Sequence, residues 1–109
     1  MDQSSKTPNI VFEKPEKISP PTLERLQKIA VTFAQKLYKR APIERIEITF
    51  NEVKASFKRP IAIITSLKVR FFNGASLFAR SENKSAITSL HQAISKVAKQ
   101  YRRKLHREN

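Results

Sequence analysis

Residues 85–107 carry a pattern that few structures other than one long amphipathic helix can satisfy. Their apolar side chains recur at steps of 3, 4, 3, 4 and 4 residues, so at about 100° per residue they stay on one side of a helix. The stretch contains six Lys or Arg and no Asp or Glu. We therefore predict a helix with one side in a hydrophobic core and the other side attracting polyanions. The apolar positions are Ile87, Leu90, Ile94, Val97, Tyr101 and Leu105, and the opposite side carries Gln92, Lys96, Lys99, Arg103 and Arg107.

The charge of the whole chain repeats this bias. Twenty-two Lys and Arg against nine Asp and Glu give a net charge of +13 on 109 residues, and such self-repulsion is relieved by an anionic partner. Nucleic acid and an anionic membrane are the two candidates. Nucleic acid is favoured, because no apolar run approaches the roughly 18 residues of a membrane-spanning helix and the apolar helix faces are needed for the core.

The length of the chain suits one domain, which we place at residues 9–109. Residues 1–8 are polar and are predicted to form a disordered leader. Because this leader lacks the apolar region of a secretion signal, a cytoplasmic location is predicted.

A second basic helix is predicted near the start of the domain. Asn9–Glu13 is short and rich in β-forming residues, which indicates a first strand. Ser19 and Pro20 then form a helix start, and Pro42 predicts that the helix ends near Arg40. Within it, an apolar stripe and a basic stripe lie opposite one another. The apolar stripe is Leu23, Leu26, Ala30, Phe33 and Leu37, and the basic stripe is Arg25, Lys28, Lys36 and Lys39.

Three further strands are predicted at residues 43–55, 61–72 and 75–81, since apolar and polar residues alternate there. Asn73 and Gly74 form the expected hairpin turn between the last two. A two-residue turn would put Phe71 on the same face as Phe78 rather than Leu77. We therefore predict a three-residue loop or a bulge beside Gly74, which keeps one consistent core face.

Ser85 is predicted to cap the last helix, which completes the order β-α-β-β-β-α. This order predicts an α+β two-layer sandwich, in which two helices cover one face of a four-stranded sheet.

The second half of the chain, from Asn73 and Gly74 through Leu77 and Ala79 to Lys104, has the spacing of one known family's hairpin and C-terminal helix. Together with the element order, this spacing resembles the ribosome hibernation promoting factor family, also called the ribosome-associated inhibitor or sigma-54 modulation family. The resemblance covers roughly residues 9–107. The family usually opens its last helix with an acidic residue, Met or Leu, Tyr, small residues, Ile and a second acidic residue. Here the run Ser85-Ala86-Ile87-Thr88-Ser89-Leu90-His91 has neither acid and no Tyr. The matching positions are Asn73, Gly74, Leu77, Ala79, Glu82, Ala93, Ile94, Lys96, Gln100 and Lys104.

This resemblance implies a translation silencer that binds the small ribosomal subunit and its rRNA in stressed or stationary cells. Such a protein occupies the decoding region and blocks tRNA and mRNA. The chain resembles the short form of the family, which implies a monomer off the ribosome that does not join two ribosomes by itself. A structured RNA is read largely by shape and backbone, so no base-reading code is expected in the sequence.

The predicted RNA-binding residues are the cations of both helices and of the strands. Those on the strands either keep an exposed sheet face soluble or contact RNA. Phe72 and Phe78 are predicted to pack in the core or at its edge rather than to stack on bases. The full set is Arg25, Lys28, Lys36, Lys39, Arg40, Lys68, Arg70, Arg80, Lys96, Lys99, Arg102, Arg103, Lys104 and Arg107.

No enzyme activity, cofactor or metal site is predicted. The absence of Cys excludes thiol nucleophiles, disulfides and cysteine-based zinc sites, and a single Gly excludes a P-loop or a dinucleotide-binding loop. His91 and His106 lie on different faces of one helix, too far apart to share a metal. Glu44 and Glu47 point to opposite faces of a strand, so they do not form an acid–base pair.

Two alternatives remain open at this point. One is a double-stranded-RNA-binding-like module or a ribosome assembly protein, which also places two helices on a small sheet. The duplex-RNA module begins with its helix, so a leading strand at Asn9–Glu13 separates the two folds. The other is an adaptor whose basic helices dock on an acidic protein, and ribonuclease treatment separates it from an RNA binder.

Overall fold

The fold is an α+β sandwich with the predicted order of elements. The computed structural model describes residues 9–15, 18–54 and 60–108, and the side chains of residues 54, 60–61 and 104–108 lie outside this description. The leader predicted at residues 1–8 also lies outside it, as does residue 55 at the end of the second predicted strand. The elements are β1 (Asn9–Glu13), α1 (Pro20–Tyr38), β2 (Ile43–Lys54), β3 (Pro60–Phe71), β4 (Ser76–Asn83) and α2 (Ala86–Glu108).

The four strands form one mixed sheet in the order β1-β2-β3-β4. β1 runs parallel to β2, while β2–β3 and β3–β4 are antiparallel. A parallel pair needs a crossover connection, and α1 supplies it. α1 packs against β1 and β2, α2 packs against β3 and β4, and the two helices touch each other. Both helices therefore cover the same face of the sheet, which confirms the predicted sandwich.

Alternate residues of each strand supply the sheet side of the core. Ile46, Ile48 and Phe50 of β2 are buried, and their partners on β3 are Val69, Leu67 and Thr65. Phe12 of β1 reaches the same layer, with its ring centroid 5.5 Å from that of Phe50. The residues between them point to the other face, which neither α1 nor α2 covers. We call this uncovered side the open sheet face.

The turn between β3 and β4 spans three residues, as predicted. The Phe71 amide donates to the carbonyl of Ala75 at 2.9 Å, and the Gly74 amide donates to the carbonyl of Phe71 at 3.0 Å. Gly74 has a φ of 95°, a backbone conformation that side chains with a Cβ rarely adopt. The Asn73 side-chain oxygen accepts from the Ala75 amide at 2.9 Å. Because of this turn Val69 pairs with Leu77, so both lie on the helix side of the sheet.

The ends of two predicted strands differ from the structure. β3 ends at Phe71 rather than at Phe72, because the turn begins there. β4 runs from Ser76 to Asn83 and is longer than the predicted 75–81. Phe72 is thus a turn residue, and its amide donates to the carbonyl of Pro42 at 3.4 Å.

Both helices begin at the predicted serines. The Ser19 hydroxyl accepts from the Thr22 amide at 3.4 Å, and the Ser85 hydroxyl accepts from the Thr88 amide at 3.2 Å. α1 ends at Tyr38, two residues before the predicted end, because the Arg40 and Ala41 amides both bond to the carbonyl of Leu37 in a closing turn.

The predicted apolar stripe of α2 is rotated in the structure. Leu90 and Val97 are fully buried, but Ile87 and Ile94 are only half-buried and lie toward α1. The side that meets the sheet most closely is made of small residues, because they allow a close approach of helix and sheet. These residues are Ala86, Ser89 and Ala93. The side chain of Leu105, the last member of the predicted stripe, lies outside the description.

Ser89 illustrates this close approach. Its hydroxyl donates to the carbonyl of Ser81 at 2.8 Å and lies 3.2 Å from the carbonyl of Ile63. The Ser81 hydroxyl in turn donates to the side-chain oxygen of Gln92 at 2.7 Å. These bonds attach the first half of α2 to β3 and β4.

Truncation of a core residue on α2 should destabilise the fold, while truncation of an exposed apolar residue should not. Leu90→Ala removes a fully buried side chain, and we expect the free energy of unfolding to fall by about 2–5 kcal/mol. The control is Val31→Ala on α1, where the side chain is 41% exposed, and it should change that energy by less than about 0.5 kcal/mol. Urea unfolding followed by far-ultraviolet circular dichroism measures both. Equal losses in the two variants would contradict this packing.

Candidate nucleic-acid interface

A groove between α1 and α2 collects three of the predicted cations of α1. Its cavity has a volume of about 440 Å³. Arg25, Lys28 and Lys36 line it because they recur along α1 at helical spacing. Their α-helical neighbours Ile29 and Phe33 form part of an apolar floor. We call this feature the interhelix groove, and its lining residues are Arg25, Lys28, Ile29, Thr32, Phe33, Lys36, His91 and Ile94.

The interhelix groove is positively charged. Among the residues that the structure describes, its lining includes three cationic side chains and no carboxylate. Arg25, Lys28 and Lys36 are themselves exposed, so their charged ends reach solvent above the apolar floor. Lys39 and Arg40 are exposed near the C-terminal end of α1, beyond the groove lining. Such an arrangement can hold phosphate groups at its rim and an apolar or aromatic group at its floor.

His91, Thr32 and Ile94 were not among the predicted site residues. His91 and Ile94 belong to α2, whereas most of the groove belongs to α1. Which residues of one helix face another depends on how the two helices pack on the sheet. The helical spacing from His91 to Ile94 was visible in the sequence, but their position beside Lys28 and Lys36 was not.

One side of α2 lies against the edge of the sheet. The Lys96 ammonium donates to the carbonyl of Arg80 at 2.7 Å, and the Gln100 amide donates to the carbonyl of Phe78 at 2.8 Å. Residues four apart on a helix thus bond to residues two apart on β4, the last strand of the sheet. Edge strands carry unpaired backbone groups that invite pairing with another chain, and these bonds occupy two of them.

Lys96 therefore differs from its predicted neighbours on the basic side of α2. It is exposed, but its ammonium is already bonded to the sheet edge. Lys99, Arg102 and Arg103 are exposed, and no side-chain hydrogen bond or salt bridge involves them within the part of the chain described. Lys99 and Arg103 are one helical turn apart and so share a side. The side chains of Lys104 and Arg107, also predicted to bind RNA, lie outside the described residues.

The strand cations lie on the open sheet face, on the opposite side of the molecule from the interhelix groove. Lys68, Arg70 and Arg80 alternate there with buried residues that point toward the helices. Arg45 shares this face, where its Nε lies 2.9 Å from a carboxylate oxygen of Glu47. The predicted cations are thus divided between two opposite faces, so one flat surface cannot contain them all.

The prediction that Phe72 and Phe78 pack in the core or at its edge is wrong. Phe72 is 67% exposed in the hairpin turn, and Phe78 is 51% exposed on the open sheet face. Phe78 points outward because its neighbours Leu77 and Ala79 are buried under the helices. Both aromatic rings are therefore available to a partner.

No group of three or more potential metal ligands occurs among the residues that the structure describes. Neither helix, within the same ranges, is long and apolar enough to cross a bilayer.

No protein-family model matches the chain. No curated protein matches it either.

Proposed function

We propose that this protein binds the small ribosomal subunit and silences translation by occupying the decoding region. The binding surface is formed by α1 and α2, which together we call the helix layer. The observation that carries the proposal is the interhelix groove, which gathers Arg25, Lys28 and Lys36 over an apolar floor without a carboxylate in its lining. Structured rRNA presents closely spaced phosphates on separate strands, and such a target is recognised by shape and backbone.

The resemblance to the hibernation factors supports the ribosome as the particular RNA partner. The order β-α-β-β-β-α and the hairpin at Asn73 and Gly74 fit that resemblance. His91 stands where the family usually has the second acidic residue of the last helix, and it lines the interhelix groove. Replacing an acid by His there removes a negative charge that would repel phosphate, which favours binding to RNA.

Among the alternatives, the leading strand β1 counts against a duplex-RNA-binding module, which begins with its helix. A ribosome assembly protein and a basic adaptor for an acidic protein remain the competing functions. An assembly protein binds subunit precursors rather than mature subunits, and an adaptor retains its partner after ribonuclease treatment. The following experiments therefore use mature small subunits.

The purified protein should co-sediment with small subunits in a sucrose gradient. It should also compete with initiator tRNA, because the same decoding cavity cannot hold both. A filter-binding assay with labelled initiator tRNA measures the competition. The proposal is wrong if the protein stays at the top of the gradient even at low salt.

Charge removal in the interhelix groove should weaken this binding more than the same charge change elsewhere. In Arg25→Gln with Lys36→Gln, two groove cations become neutral, and the plot of log affinity against log salt should flatten by about one to two units. The matched control is Lys14→Gln with Lys84→Gln, which neutralises two exposed lysines outside the groove lining. The control should keep the parental slope. If both double variants change the slope equally, the groove has no special role.

Charge reversal on the solvent side of α2 tests the other half of the helix layer. Lys99→Glu with Arg103→Glu should lower affinity for small subunits sharply and flatten the salt dependence by about one to two units. The free energy of unfolding should change by no more than about 0.5 kcal/mol per substitution, because both side chains are exposed. Unchanged affinity with an unchanged salt slope would mean that this side of α2 only keeps the protein soluble.

A further inference from the structure

The open sheet face exposes an aromatic ring that the core does not use. Along β4 exposed and buried residues alternate strictly from Ser76 to Glu82. Phe78 is the one aromatic residue among the exposed members, and 51% of its surface is accessible. The buried side of this strand already supplies Leu77 and Ala79 to the core, so Phe78 contributes little to it.

Cationic side chains surround this ring. Lys68 is its direct partner on β3, and Arg80 lies two residues further along β4 on the same face. Arg70 pairs with Ser76, the next outward position on the other side of Phe78. Outward positions on one strand are about 7 Å apart and direct cross-strand neighbours are about 5 Å apart, so three cations flank one aromatic ring within side-chain reach.

Carboxylates also lie on the open sheet face, but the charge around Phe78 stays positive. Glu47 is the β2 partner of Lys68, but its carboxylate is bound to Arg45 at 2.9 Å. Glu82 is one outward position beyond Arg80. Within the described part of β3 and β4, the open sheet face thus carries three cations and one carboxylate beside Phe78.

We propose that the open sheet face binds single-stranded RNA, with an unpaired base stacked on Phe78 and its neighbouring phosphates held by Lys68, Arg70 and Arg80. An aromatic side chain offers its ring to any base, while Lys and Arg follow the backbone. Duplex RNA does not fit this site, because its bases are already stacked on one another.

This site is separate from the proposed ribosomal interface. The interhelix groove and the open sheet face lie on opposite sides of the sheet, so one protein can hold structured RNA on one side and an unpaired strand on the other. The inference does not rest on ribosome binding, because its ligand is unpaired RNA of any source and its test contains no ribosomes.

The test compares a short oligouridylate with an abasic oligomer of the same length, which keeps the phosphates and lacks the bases. The wild-type protein should bind the oligouridylate about 5- to 150-fold more tightly than the abasic oligomer. Phe78→Ala should lose this preference and bind both alike, while Val31→Ala, which trims an exposed apolar residue on α1, should keep it. Fluorescence anisotropy of end-labelled oligomers measures all six affinities, those of three proteins for two oligomers.

A fluorescent variant provides an independent reading of stacking. The chain has no Trp, so Phe78→Trp introduces a single reporter at the proposed contact, and Val31→Trp places the same reporter on α1. Oligouridylate should quench the emission of Phe78→Trp, and the abasic oligomer should not. The Val31→Trp emission should change with neither.

Two results would overturn the proposal. One is a wild-type protein that binds the two oligomers alike. The other is a base preference that survives in Phe78→Ala, with no base-dependent quenching in Phe78→Trp. In either case the aromatic ring serves a different kind of partner, such as a protein. Neither result would affect the experiments on small subunits, which probe the helix layer.

Discussion

The three-residue turn between Phe71 and Ala75 determines which side of β4 faces the helices. Side chains alternate along a strand, so a turn shorter or longer by one residue would exchange the two faces of β4. Leu77 and Ala79 would then face solvent, and Phe78 and Arg80 would be driven under α2. A turn of this length requires one residue with a positive φ, and Gly74, the single Gly of the chain, supplies it. The division of the molecule into a helix layer and an open sheet face follows from this one turn.

That division has an electrostatic consequence. The chain carries a net charge of +13, and among the residues that the structure describes, the predicted RNA-binding cations lie on two opposite faces rather than on one. Arg25, Lys28 and Lys36 gather in the interhelix groove, while Lys68, Arg70 and Arg80 lie on the other side of the sheet. Separation of like charges across the sheet reduces their mutual repulsion. It also leaves two surfaces of different chemistry, one a groove between helices and the other a flat sheet with an exposed ring.

α2 lies against β4 at the edge of the sheet, where the helix layer meets the open sheet face. Lys96 and Gln100 bond to the outward carbonyls of β4, and Ser89 bonds to Ser81 beneath them. These contacts hold α2 against β4 while Lys99 and Arg103 remain exposed on its solvent side. They also occupy part of an edge that would otherwise invite strand pairing with another chain. Lys96, which its helical spacing assigns to the RNA-binding side of α2, thus also bonds to the edge strand of the sheet.

Local patterns in the sequence predict the order of elements, the helix starts at Ser19 and Ser85, and a three-residue loop or a bulge between β3 and β4, because periodicity, capping and side-chain alternation are local properties. Tertiary packing alone sets three further features, which are the parallel pairing of β1 with β2, the rotation of α2 toward its small residues and the bond from Lys96 to β4. It also places His91 and Ile94 beside the cations of α1. These features depend on which faces of separate elements come together. Packing between the elements determines which faces meet, and no single segment of the sequence contains that information.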